Sequence, residues 1–181
     1  MTEPDLAVPT GGIAQEDGEV SGAALRKALG RFVSGVTVVT TAVDGEPHGM
    51  TANAFTSVSL DPPLVLVSIA TQARMDRAIK QSGHYGISIL CRSQEPLSLH
   101  FAGARDQSGL VRFVWRHGVP LLDGALVHLA CSVHDTHPAG DHSLHVGRVD
   151  GLWYDYGDPL VFFTGSFRAL EIVKEEHPWG F

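Results

Sequence analysis

Gly49-Met50-Thr51-Ala52-Asn53-Ala54-Phe55-Thr56-Ser57-Val58-Ser59-Leu60-Asp61-Pro62-Pro63-Leu64 is the stretch on which the fold turns. It is dense in small and hydroxyl-bearing residues. Thr51, Thr56, Ser57 and Ser59 carry hydroxyls, and Asn53 carries an amide. Small side chains let a ligand come close to the backbone, and hydroxyls with free N–H groups can hold an anion. The same composition also suits an ordinary strand, turn and strand. Asp61-Pro62-Pro63 ends the run, because two prolines do not fit inside a central strand and so mark a turn. The apolar Leu64-Val65-Leu66-Val67-Ser68-Ile69 that follows is the next strand.

Working outward, Ser21 is placed to cap a helix through Leu29, with Leu25, Leu29 and Phe32 close to one face. Ser34-Gly35 leads into the β-branched run Val36 to Thr41, a strand. Asp44-Gly45 is a hairpin signal, and the next strand is expected from His48 to about Phe55. Downstream, residues 73–82 read as a helix and Gly86 to Leu90 as a strand. Gln94 to Ala102 reads as a helix with Pro96 in its first turn, and Asp106 to Gly109 as a loop.

From Val119 the chain is mostly β. Ala125 to His134 alternates, and the Val127, Leu129, Cys131 and Val133 side is expected to face the core. A turn is expected over 135–141. In the strand after it, Leu144 and Val146 align with Val149 only after a one-residue slip, which a bulge near Gly147-Arg148 would supply. Leu160 to Phe163 and Phe167 to Ile172 complete the set. The class is mainly β with short α-helices, and hairpin-length turns point to an antiparallel barrel that protects its strand edges.

A chain of 181 residues with 44% hydrophobic side chains suits one domain with a real core. Residues 1–20 carry acidic but no basic side chains and few large apolar ones. They are expected to form a flexible acidic tail before a folded domain over 21–181. The net charge of −7 argues against nucleic acid. No apolar run approaches the roughly 20 residues that span a bilayer, and no secretory signal is evident. The isolated Cys91 and Cys131 form no disulfide framework, and a cytoplasmic setting is expected. Neither GxGxxG, a P-loop nor a GxSxG elbow is found in the context that would give it meaning.

His134, His137, His142 and His145 invite a metal reading. No carboxylate or thiolate accompanies them at a familiar ligand spacing, so no metal is expected. Gly140-Asp141-His142-Ser143 is more specific: a tight turn sets Asp141 beside His142, where a carboxylate can orient the ring. A plain surface turn is the alternative.

Taken in order, several strings form a series. They are Phe32-x-Ser34-Gly35-Val36-Thr37-Val38-Val39-Thr40, Asp44-Gly45, the Gly49–Leu64 stretch and Leu97-Ser98-x-x-Phe101-Ala102. Gly140-Asp141-His142, Gly147-x-Val149 and Pro159-Leu160-Val161-Phe162-Phe163 follow. This series resembles the short-chain flavin reductases, the reductase partners of two-component flavin-dependent monooxygenases, over roughly residues 22–172. The resemblance implies an FMN-binding split barrel and a homodimer with flavin near the subunit interface. It implies reduction of FMN or FAD by NADH or NADPH, with reduced flavin handed to a partner monooxygenase.

By the same resemblance, Thr51, Ala52, Asn53 and Ala54, with Ser57 and Val58, form the flavin cradle. Ser34, Gly35, Val36 and Thr37 flank the isoalloxazine. Ser68, Ile69, Ala70 and Arg74 reach toward the phosphate or adenosine end. Phe101 and Ala102 match a flavin-contacting position. His142, beside Asp141, is the nicotinamide-side and catalytic residue. Ala54 stands where the family usually has serine, which removes one hydroxyl from the cradle. The competing class is a flavin- or haem-binding carrier or sensor on the same barrel. A carrier has no need of the Gly140-Asp141-His142 string.

Overall fold

The computed structural model describes residues 18–170. The expected tail over 1–20 therefore lies almost wholly outside the described residues, as do Glu171 and Ile172 of the last expected strand. Ser21 caps the first helix, α1 (Gly22–Leu29), by accepting a hydrogen bond from the Ala24 N–H. Two short residues of strand, β1 (Ser34–Gly35), precede β2 (Thr37–Val43). Asp44 and Gly45 both take positive φ, 53° and 82°, as a tight hairpin demands. They join β2 to β3 (Glu46–Ala52). Next come β4 (Phe55–Leu60), β5 (Pro63–Ala70), α2 (Arg74–Ser82) and β6 (His84–Ile89). Gly83 closes α2 in the left-handed conformation.

The second half holds α3 (Glu95–Phe101) and the hairpin β7 (Phe113–Arg116) and β8 (Val119–Leu122). Two long strands follow, β9 (Val127–Ala139) and β10 (His142–Tyr154), then β11 (Val161–Phe163) and β12 (Ser166–Arg168). Among the described residues, no helix is long and apolar enough to cross a membrane.

One seven-stranded sheet, in the order β3-β2-β6-β9-β10-β5-β4, organises the molecule. Every neighbouring pair is antiparallel. An odd number of alternating strands leaves the two edges, β3 and β4, pointing the same way. These edges are consecutive in the chain, with only Asn53 and Ala54 between them. The chain therefore leaves one edge and enters the other without turning back, and the sheet must curl until its edges meet. The strand expected from His48 to Phe55 is in fact the end of one edge and the start of the other. An alternation pattern carries no sign of such a transfer.

The barrel interior is filled by Val39, Val67, Ile69, Ile79, Tyr85 and Ile87, all fully buried. The β7–β8 hairpin covers the outer face of β9, where Val119 and Leu121 bury Ala130. The expected one-sided β9 is thus buried on both faces from His128 to Cys131. The hairpin that covers it turns at His117-Gly118 and was not evident in the sequence. The turn expected over 135–141 is also shorter, since β9 continues to Ala139 and only Gly140 and Asp141 remain.

The expected slip in β10 falls later, at Asp150, rather than between Gly147 and Val149. Ser143, His145 and Gly147 face inward, and Val149 continues on the same side. The extra residues sit elsewhere: His134 of β9, opposite Val146/Gly147, and Asp150 of β10. The interior accepts polar Ser143 and His145 because α2 supplies partners for them. It requires glycine at 147 because the Tyr85 phenol fills the space a Cβ would need.

Candidate functional site

The two meeting edges do not seal. A cleft of about 580 Å³ opens at the Asn53-Ala54 junction. Its polar side is made by Ser34, Gly35, Thr37, Asn53 and Ala54. Ser34 and Gly35 are held there by pairing with Phe162 and Val161 of β11. The Thr37 hydroxyl donates to the Ala52 carbonyl at 2.6 Å and pins the end of β3. The Asn53 amide donates to Ser34 Oγ at 3.5 Å, a long bond that a better acceptor would displace. Among the described residues, the N–H groups of Asn53 and Ala54 donate to no backbone carbonyl.

The apolar side is supplied by Leu29, Phe32, Val33, Phe55 and Ile89. Leu29 is 62% exposed and Phe32 80% exposed. An apolar slot with amide donors along one edge suits a flat heteroaromatic ring that is apolar on its faces and polar at its rim. A flavin isoalloxazine has that character, and the residues present fit it.

The family model described as "Flavin reductase like domain" matches residues 29–171. The chain belongs to that family. An NADH-dependent flavin reductase from Rhodococcus sp is 68% identical over 91% of this chain and 96% of its own length. The reductase component of a 4-hydroxyphenylacetate 3-monooxygenase from Thermus thermophilus is 40% identical over 81% of this chain and 95% of its own. The solved structure of flavin reductase PheA2 superposes with a TM-score of 0.82 at 43% identity, covering 84% of this chain and all of that one. The barrel is accordingly the split barrel of the flavin reductases.

Of the residues the family resemblance singles out, Ser34, Gly35, Thr37, Asn53 and Ala54 come together in the cleft. The Thr51 hydroxyl is engaged elsewhere, donating at 2.6 Å to the Ser98 carbonyl and so fastening α3 to β3 beside Ala52. Val36 and Ile69 bury their side chains in the core. The Val36 N–H donates to Leu160 and its carbonyl accepts from Leu90, so its backbone is committed as well. Phe101 stands over Gly49 and leans on Phe113, and Ala102 caps α3. Ser57 and Val58 lie on the exposed face of β4, with Val58 at its bulge.

The remaining residues gather at a rim adjoining the junction. The Ser68 N–H donates to the Ala54 carbonyl. Ala70 pairs with His142, two residues from the Ser68–Leu144 pair. Thr71 binds the Asp141 carbonyl with both its N–H and its hydroxyl, at 3.0 and 3.1 Å. Arg74 opens α2 just beyond and is exposed. The Asp141 carboxylate accepts from His142 Nδ1 at 2.7 Å. That hydrogen bond, with the charge of the ring, holds Asp141 below its ordinary value.

The clustered histidines separate. His134 sits at the β9 bulge, His137 lies 3.2 Å from Asp135, and His145 is fully buried. Among the described residues, no three His, Cys, Asp or Glu side chains converge as metal ligands would.

Sequence reasoning missed the network beneath the rim. Asp76 of α2 is buried and accepts from His145 Nε2 at 2.9 Å and from Lys80 at 2.7 Å. Lys80 also donates to Ser143 at 3.1 Å, and Thr136 Oγ1 lies 3.2 Å from His145 Nδ1. The available signal was an acidic residue between Met75 and Ala78 on a helix otherwise apolar on that face. Burial pushes the His145 pKa below 6.5, although Asp76 opposes the shift. Burial alone would raise Asp76, but hydrogen bonds from Lys80, Ser143 and His145 outweigh it and leave the carboxyl below 3.8.

Both shifts have the same consequence in acid. Below 6.5 the unfolded chain binds a proton that native His145 resists, so stability falls as pH drops through that value. Asp76 adds a second loss below 3.8. The urea midpoint should therefore fall on acidification from about pH 7 to about pH 5, and His145→Gln should flatten that limb. Equal slopes in the two proteins would remove His145 as its source.

Proposed function

We propose that this chain oxidises NADH, reduces FMN or FAD, and releases the reduced flavin to a partner monooxygenase component. The observation that carries the proposal is the cleft at the Asn53-Ala54 junction, an apolar slot edged by amide donors. The 68% identical relative named for NADH supports the choice of nicotinamide.

Bound flavin supplies the hydride-accepting ring, and NADH supplies the hydride. What the protein must do is hold two flat rings face to face at reacting distance. Leu29, Phe32, Phe55 and Ile89 supply apolar surface for the faces of the flavin. The N–H groups of Asn53 and Ala54 and the Asn53 amide are donors for its polar edge, where they favour the negative charge that reduction brings. Ser68, Ala70 and Arg74 continue this surface along the rim toward the phosphate end. His142, with Nδ1 fixed on Asp141, keeps Nε2 for the nicotinamide carboxamide or for a proton.

We also propose that two copies pair over this cleft. Leu25, Leu29, Phe32 and Val33 are 49–80% exposed in the single chain, more apolar surface than a free monomer comfortably shows in one place. A second copy would cover them and complete the slot.

Mixing the protein with NADH and either flavin should give flavin-dependent loss of absorbance at 340 nm. Tight flavin retention with no NADH oxidation would instead make the chain a carrier. Replacing His142 by alanine should raise the KM for NADH or slow flavin reduction by about ten- to a hundredfold, roughly 1.4–2.7 kcal/mol of transition-state stabilisation. Flavin affinity should barely change, and stopped-flow rates within about twofold of wild type would return His142 to a plain surface turn. Light scattering should give a mass near twice 19.4 kDa, and Phe32→Asp should shift it toward one chain. A monomeric wild type would discard the dimer and leave the reductase reading standing.

A further inference from the structure

Two segments form the rim beyond the flavin slot: Thr71 to Arg74, and the Gly140-Asp141-His142 turn. Where the β5–β10 ladder ends at the Ala70–His142 pair, they are joined at the surface by two hydrogen bonds exposed to water, from Thr71 to the Asp141 carbonyl. Such bonds exchange readily with solvent and fix geometry poorly. Beneath them a second set of links, buried at Asp76 and His145 and part-buried at Lys80, joins α2 to β10 just beyond the same two segments. Asp76, two residues into α2 from Arg74, reaches His145 on β10 at 2.9 Å. Lys80, one turn further along α2, joins Asp76 to Ser143, the residue after His142, at 2.7 and 3.1 Å. His145 is held from its other side by Thr136 of β9, and its carbonyl accepts from the Tyr85 hydroxyl.

The pattern of polarity is informative. Ser143 and His145 face inward on a strand where Leu144 and Val146 are available to face in, so a one-residue register shift would give a more apolar interior. The observed register keeps the polar pair inside. It also keeps His142 at the end of the strand beside Ala70. Asp76 has a 3% exposed side chain and His145 none, so neither can trade its partner for water. The neutral ring satisfies both neighbours in one tautomer, with Nε2–H donating to Asp76 and Nδ1 accepting from Thr136.

We infer that Asp76 is a positioning residue for NADH: through His145, Lys80 and Ser143 it locks the His142 turn and the Arg74 segment into one rim. The inference rests on the proposed reductase reading, in which that rim meets the nicotinamide nucleotide. Asp76 touches neither substrate. Loss of the lock leaves the slot at Asn53-Ala54 in place, so flavin binding and NADH binding should respond differently.

The test compares wild type with Asp76→Asn, His145→Leu and His145→Gln. The leucine removes the donor to Asp76 at similar volume, and the glutamine amide can restore it. Asp76→Asn and His145→Leu should raise the KM for NADH about five- to twentyfold, with the dissociation constant for flavin within about twofold of wild type. His145→Gln should bring the KM back to within about twofold. In the protein without flavin or NADH, amide exchange followed by mass spectrometry should quicken about tenfold in peptides covering 70–74 and 141–146, and stay unchanged in β2 and β6. If Asp76→Asn does not fold, the His145→Leu and His145→Gln pair decides alone. Exchange that quickens uniformly through the barrel, with an unaltered KM for NADH, would overturn the inference and make the network a stabiliser only. Failure of wild type to oxidise NADH with either flavin would instead strike the reductase reading, and the exchange pattern would still report whether Asp76 locks the rim.

Discussion

Closure of the sheet across two residues constrains everything else in this molecule. Seven alternating strands put the edges β3 and β4 in the same direction, and the chain joins them through Asn53 and Ala54 alone. A junction that short cannot be covered by its own side chains. Its N–H groups fall between the β3 and β4 ladders and, among the described residues, donate to no backbone carbonyl. Backbone donors left without partners are costly if buried dry and useful if a ligand meets them. The site is therefore a consequence of how the barrel closes. Ser34-Gly35 from β1 and the apolar end of α1 converge there because they flank the same split.

Several hydroxyls that look like ligand groups act instead as fasteners at that closure. Thr37 holds the Ala52 carbonyl, and Thr51 holds α3 through Ser98. Ser68 contributes its backbone N–H, tying β5 to the Ala54 carbonyl. Each bond contributes only about 1 kcal/mol net, but each acts on the few residues whose position sets the width of the slot. The Asp76–His145 pair works at the other end of the site on a different scale. Removing the neutral His145 ring leaves the buried Asp76 carboxylate short of a hydrogen-bond donor, at a cost of about 1–3 kcal/mol or more. Such a pair is a strong constraint on register even where its contribution to stability is small.

Local patterns were legible in the sequence where local forces decide them. Ser21 caps α1, Asp44-Gly45 makes a tight turn, and Asp61-Pro62-Pro63 ends β4, all as expected from their side chains. What failed depended on distant chain. Nothing in Gly49 to Phe55 reveals that its two ends lie on opposite edges of a sheet. The two-sided burial of His128 to Cys131 depends on the β7–β8 hairpin. The inward face of β10 depends on Asp76 and Lys80, some sixty or more residues earlier. The cleft itself was half legible. Its polar residues fell in recognisable strings, whereas Leu29 and Phe32 read only as one face of a helix and prove to be exposed beside the slot.

The distribution of polar groups around the slot also bears on how firmly a flavin would be held. The threonine hydroxyls nearest the junction are spent on carbonyls, and Ala54 brings no hydroxyl of its own. Directed contacts then come down to backbone N–H groups, the Asn53 amide and Ser34. The rest is apolar surface that remains open in the single chain. Affinity from apolar contact alone is limited by the cost of immobilising the ligand, and it rises with directed, preorganised bonds. A slot built this way aligns a ring without clamping it. An enzyme whose product must leave for another protein is served by that balance, because every added bond to the oxidised ring that persists after reduction would slow release. If the slot holds flavin as proposed, the economy of hydroxyls at the junction favours its release, because the side chains that close the barrel are not available to hold its ligand.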